Sequence, residues 1–99
     1  MNTTENNKLI AEFLHGKNAV HPNQYHENWN ELMPVILKIN QFENQRYSIL
    51  INSMDCKIHD NLKNKTIADS FGRFTPDELI KSIYSACVEF IKWYNEQQK

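Results

Sequence analysis

The chain has 99 residues, 40% of them hydrophobic and 11% aromatic, with eleven basic and twelve acidic side chains for a net charge of −1. That supports one real core and is too short for two, so a single α+β domain spanning residues 1–99 is expected. The charges are mixed, with no basic tract for DNA or RNA and no acidic tail, and two glycines are too few for a Gly-rich phosphate loop or a many-turned barrel.

The first segment, TTENNKLIAEFLHG, reads as a short amphipathic helix. Thr3 or Thr4 caps it, Leu9, Ile10, Phe13 and Leu14 form one stripe, and Gly16 stands where a C-terminal glycine belongs. The same N-terminus is too polar for a signal peptide, and no apolar run approaches membrane length. A cytoplasmic protein with no membrane partner is therefore expected. From Lys17 to Asn28 the periodicity disappears into an Asn-, His- and Pro-rich connection ending in Tyr25, His26 and Trp29.

A second helix is predicted from about Asn30 to Asn40, with Trp29, Leu32, Met33, Ile36, Leu37 and Asn40 on its inner face. Pro34 is tolerated within a first turn, which sets the start near Glu31. FENQ follows as a polar turn. RYSILI is β-rich, Asn52 and Ser53 make a turn, and MDCKIH alternates with Met54, Cys56 and Ile58 to one side, so the pair reads as a hairpin. DNLKNK is a solvated loop. Thr66 to Ser70 supply a short third strand with Ile67 inward.

The closing stretch, Thr75 to Gln97, carries the strongest signal. TPDE is a helix start, with Thr75 as N-cap, Pro76 in the first position and Glu78 three residues after the cap. Leu79, Ile83, Ala86, Cys87, Phe90 and Tyr94 form one stripe; Ile80, Tyr84, Val88 and Ile91 form a second. Only Lys81, Ser82, Ser85, Glu89 and Lys92 are left for solvent. A helix so widely apolar must be covered on more than one side, so it is expected to be the core helix. The order is α-α-β-β-(β)-α, a small antiparallel sheet packed with helices.

The framework segments NKLIAEF, WNELMPVI (Trp29 to Ile36) and SACVEFIKWYNEQ resemble the phage ABA-sandwich domain family, small phage and prophage proteins in which a sheet is layered between helices. The resemblance covers about residues 7–98, with residues 44–73 matching least. It implies a phage accessory protein in a bacterial cytoplasm and supplies no catalytic residues.

Chemistry is sparse. The histidines His15, His21, His26 and His59 lack metal-site spacing, and Cys56 and Cys87, in unlike contexts with no CxxC, read as reduced thiols. No serine sits in an elbow context, and the aspartates fall at turns and element ends. No catalytic set and no cofactor are expected, and a small hydrolase trails the other readings. Tyr25, His26 and Trp29 have two readings. They form a stacking platform for a planar ligand such as a nucleobase, or Trp29 plugs the core and the other two lie on the surface. Phe71-Gly72-Arg73-Phe74 precedes a helix N-terminus, where Arg73, with Lys65 nearby in the chain, offers an anion site; the alternative is a turn anchored by its phenylalanines. Trp93 falls off the two stripes and marks either a homo-oligomer seam or a covered edge.

Two functions are implied by the resemblance to phage proteins taken together with these features. One is a non-enzymatic binding protein that sequesters a nucleotide-derived immune signal of the host, with Tyr25, His26, Trp29, Lys65 and Arg73 as ligand-binding residues. The other is an accessory protein that docks on a host or phage protein with no small ligand. Near-neutral charge and the apolar stripes favour a homo-oligomer in either case.

Overall fold

The computed structural model describes residues 3–16, 25–26, 28–51, 55–71 and 76–97. Helices α1 (Thr3–His15) and α2 (Trp29–Gln45) precede strands β1 (Tyr47–Ile51), β2 (Asp55–Asp60) and β3 (Lys65–Phe71), and helix α3 (Pro76–Gln97) closes the chain. The α+β order expected from the sequence is the observed one. The sheet is an antiparallel meander in the order β1-β2-β3.

Helix α3 is the centre of the core. Ile83, Cys87, Phe90 and Ile91 are fully buried, and Ile80, Tyr84 and Val88 nearly so. Its two stripes have two partners: the sheet through β2 and β3, and helix α1. Ser82 is a correction to the sequence reading. It is buried rather than solvated, and its hydroxyl donates to the Ser70 carbonyl at 2.9 Å, which ties α3 to β3. Thr75, the expected cap, lies outside the described residues.

Helix α1 ends as its sequence dictates. Gly16 has φ +90°, and its N–H bonds to the Glu12 carbonyl at 2.8 Å. No atom would crowd a side chain there, so the left-handed backbone alone calls for glycine. Lys38 of α2 donates to the orphan carbonyls of Phe13 and Leu14 and lies over the Phe13 ring. A cation at a helix C-terminus is favoured by the dipole.

Helix α2 starts two residues before the expected point. Asn28 caps it, accepting the Asn30 N–H on its side-chain oxygen at 2.9 Å, while its carbonyl receives Glu31 and Leu32. Pro34 therefore sits inside the helix. It is tolerated because Pro34 and Asn30, whose carbonyl loses its usual N–H partner, both face solvent. The helix proper ends at Gln41. Phe42 is extended, and Glu43, Asn44 and Gln45 have φ of 48°, 62° and 67°. The FENQ segment is thus a turn in its backbone, as expected. Left-handed conformation costs about 1–2 kcal/mol at each non-glycine residue, so side chains must hold this turn.

The inner face of α2 is rotated from the expected one. Leu32, Val35, Ile36 and Ile39 are buried, whereas Trp29, Met33 and Leu37 are exposed. The apolar residues of this helix span an arc of about 200° at 100° per residue, wider than one buried face, so periodicity alone cannot say which part of the arc is covered. The tertiary partner chooses it. Helix α2 lies along β1, and the Asn40 side-chain oxygen accepts the Ile49 N–H at 3.0 Å. That bond occupies a position on the edge of β1 away from β2, a common way to blunt an open strand.

Register sets the two faces of the sheet. Tyr47, Ile49 and Ile51 oppose Asp60, Ile58 and Cys56, and Cys56 and Ile58 oppose Ser70 and Ala68. The register then shifts between Ile58 and His59, so His59 opposes Thr66. The extra residue is Ile67, which is only partly buried, and Ala68 is the one that faces the core. Ile67 was expected inward, and the bulge explains the difference. The opposite face carries Ser48, Leu50, Lys57, His59, Thr66 and Asp69, none of them buried. Among the described residues the helices pack against one face of the sheet, where the resemblance implied helices on both.

Candidate functional site

Two features stand out from the framework. The first is a polar clasp joining the α2–β1 turn to the β2–β3 turn. Asp60, fully buried, accepts Arg46 Nε at 2.9 Å and Nη2 at 2.8 Å, together with the backbone N–H groups of Leu62 at 3.0 Å and Lys63 at 3.2 Å. The Arg46 hydrogen bonds, aided by those N–H groups, hold its carboxyl down at about 2. Arg46 also lies over the Tyr47 ring, 5.2 Å from its centroid. Tyr47 donates its hydroxyl to Glu43 at 3.0 Å. Burial, then that bond, pushes the phenol up to about 12. Glu43 is one of the left-handed residues, so the clasp is what holds the turn.

A cavity of about 140 Å³ lies beside it, lined by Glu43, Arg46, Tyr47, Lys63, Trp93 and Tyr94, among others. Small-molecule pockets are typically about 300–1,000 Å³. Arg46 and Lys63 are balanced by Glu43 and Asp60, and the buried lone pairs are already taken. The arrangement is built for structure rather than for a ligand.

The second feature is the outer face of α2. Between residues 29 and 41 the exposed positions are Trp29, Asn30, Met33, Pro34, Leu37 and Gln41, and none is charged. Trp29, Met33 and Leu37 are 37%, 43% and 51% exposed. The exposed positions of α3, by contrast, include Lys81, Glu89, Lys92 and Glu96. A shallow groove of about 460 Å³ runs along the C-terminal part of this face, lined by Pro34, Leu37, Lys38, Gln41, Phe42 and Glu43. Charge depletion with aromatic and Met enrichment is the composition of an interface core.

Among the described residues, Tyr25, His26 and Lys65 do not assemble into one site. Tyr25 is 1% exposed and belongs to the core, so neither ring face is open. Burial and then Glu31 raise its phenol. His26 is half-buried, with Nδ1 3.4 Å from the Asn7 amide and its ring edge-on to Tyr84. Asn7 in turn accepts the Tyr84 hydroxyl at 3.0 Å. The reading in which Trp29 plugs the core and Tyr25 lies on the surface is thus reversed: Tyr25 is in the core and Trp29 is 37% exposed. Lys65 opens β3 opposite Asp60, at the end of the sheet that faces Trp93 across Lys63. Tyr84 and Trp93 are nine residues apart on α3, about 13 Å along the axis, so His26 and Lys65 belong to different ends of the molecule. Arg73 lies outside the described residues.

Trp93 is partly covered within the chain. It is partly buried, 6.1 Å from the Tyr47 ring and 6.0 Å from that of Phe90. Cys56 and Cys87 are free thiols, both buried. Among the described residues no group of His, Cys, Asp and Glu gathers to hold a metal, and no helix is long and apolar enough to cross a membrane. No family model, curated protein or solved structure matches this chain. The resemblance to the phage family therefore rests on its framework segments alone.

Sequence reasoning missed the α2 face by assigning its stripe to the core. The signal was present in the count of apolar residues, which is too large for one side of a helix.

Proposed function

We propose that this chain acts without catalysis, as an interaction protein that docks through the outer face of α2. The observation that carries this reading is a solvent-facing helix surface with three large apolar side chains and no charge. The exposed positions of α3 include Lys81, Glu89, Lys92 and Glu96, whereas the other exposed large apolar residues, Leu50, Ile51 and Leu62, lie on β1 and in the β2–β3 turn. The largest contiguous apolar patch on a monomer is often a functional one. The setting, a phage accessory protein in a bacterial cytoplasm, rests on the framework resemblance. A nucleotide-derived ligand finds less support, because Tyr25 has no free ring face for a base.

The test places a photoreactive residue at Leu37 and, separately, at Lys92, which is exposed on α3. After irradiation in cells, Leu37 should give a discrete cross-linked species and Lys92 none. Equal labelling from both positions, or no adduct from Leu37, refutes the proposal.

A further inference from the structure

We infer that the partner on the α2 face is a second copy of this chain, seated antiparallel about a two-fold axis that passes close to Met33. This rests on the docking reading above and names its occupant.

The face carries both halves of a self-complementary contact. Trp29, 37% exposed, lies at one end, and the groove lined by Pro34, Leu37, Lys38, Gln41, Phe42 and Glu43 lies at the other. Trp29 and Leu37 are eight residues apart, about 12 Å along the axis, with Met33 midway. An isologous two-fold contact requires that what residue i touches on the other copy be touched back by i. A two-fold axis at Met33 does this: the Trp29 of each copy enters the groove of the other, and the two Met33 side chains meet at the centre. The exposed rows Trp29–Met33–Leu37–Gln41 and Asn30–Pro34 are i, i+4 ridges, the kind that interdigitate in the commonest helix–helix packing.

Area and charge agree. At about 200 Å² for a large side chain, the exposed parts of Trp29, Met33 and Leu37 amount to roughly 250 Å². Asn40 is bonded to Ile49, so Ile51, two strand residues further on, is level with Leu37 by the rise of the two elements. Ile51 is 46% exposed, and including it brings the patch to roughly 350 Å². Standard interfaces start at about 600 Å² per partner, a little over half of it apolar, which is also roughly 350 Å². The exposed stripe from Trp29 to Gln41 is uncharged, Lys38 and Glu43 line the groove with opposite signs, and a net charge of −1 gives two copies little reason to repel.

The test is a charge swap on the axis, read as mass by light scattering up to millimolar concentration. The parent should have twice the chain mass of 11.8 kDa. Met33→Glu and Met33→Lys should each have the mass of one chain, with unchanged circular dichroism because Met33 is on the surface. Mixed in equal amounts, they should restore the doubled mass, since only a residue facing its own copy can be rescued in this way. A monomeric parent, a Met33→Glu variant that still dimerises, or no rescue on mixing overturns the inference. The docking reading fails separately. A Leu37 cross-link to a different protein would preserve it while removing the second copy, and no cross-link at all would remove both.

Discussion

Phe90→Ala is the most demanding test of the fold. Phe90 is fully buried, and its ring centroid lies 4.8 Å from Tyr47, 6.0 Å from Trp93, 6.2 Å from Phe13 and 6.3 Å from Tyr94. It is the point where α1, β1 and α3 meet. Truncating a buried Phe to Ala costs about 3–5 kcal/mol. Four aromatic neighbours anchored on three elements cannot all relax into the space, which places this site at the upper end. A chain of 99 residues has a total stability of about 5–15 kcal/mol. The variant should therefore lose a third or more of it, with a Tm lowered on the order of 20–30 °C. Phe90→Leu keeps most of the volume and should cost about 1–2 kcal/mol. Urea titrations of the three proteins, followed by far-UV circular dichroism, give the comparison. An Ala variant within about 1 kcal/mol of the parent would refute the packing described for α3.

The remaining predictions concern titrating groups. Asp60 is held at about 2 in the folded chain against about 3.9 in an unfolded one, so its contribution is complete above the unfolded value. It is lost as pH falls between about 4 and 2, and Asp60→Asn should flatten that part of an acid-unfolding curve. Tyr47 and Tyr84 are both pushed up to about 12 by burial from an ordinary 10.0. Their contribution is complete below the ordinary value and is lost as pH climbs from 10 to 12, a loss that Tyr84→Phe should reduce. Burial, reinforced by the neighbouring Cys56, pushes the Cys87 thiol far up. Thiol reagents should therefore leave the folded chain unmodified at neutral pH and label two cysteines once urea unfolds it.

What was legible in the sequence follows from what local chemistry decides. Helix α3 could be read because its two stripes and the TPDE start agree, and both stripes found partners. Gly16 and the FENQ turn were legible because a helix end is set by nearby residues. The face of α2 was not, because Trp29, Leu32, Met33, Val35, Ile36, Leu37 and Ile39 form an apolar arc wider than one buried face. Only the contact with β1, fixed by Asn40 and Ile49, orients it. Ile67 was misplaced for a similar reason: alternation predicts a face only while register holds, and the bulge beside His59 breaks it. The Arg46–Asp60 clasp joins residues 14 apart across two turns, a pairing that no local pattern announces. The grouping of the three aromatic candidates was illegible for a different reason. Tyr25, His26 and Trp29 were grouped because they are close in the chain, and the fold sends one to the core, one to Asn7 and one to solvent.

The central claim is that the α2 face is covered in the working protein, and the solvent exposure of Trp29 measures this directly. In a Trp93→Phe background, which leaves Trp29 as the sole indole, acrylamide quenching is followed as protein concentration is raised. Quenching should fall and emission should shift to the blue as the face is covered, and Met33→Glu should abolish both changes. An indole equally quenchable at every concentration, in the parent and in Met33→Glu alike, would contradict the account.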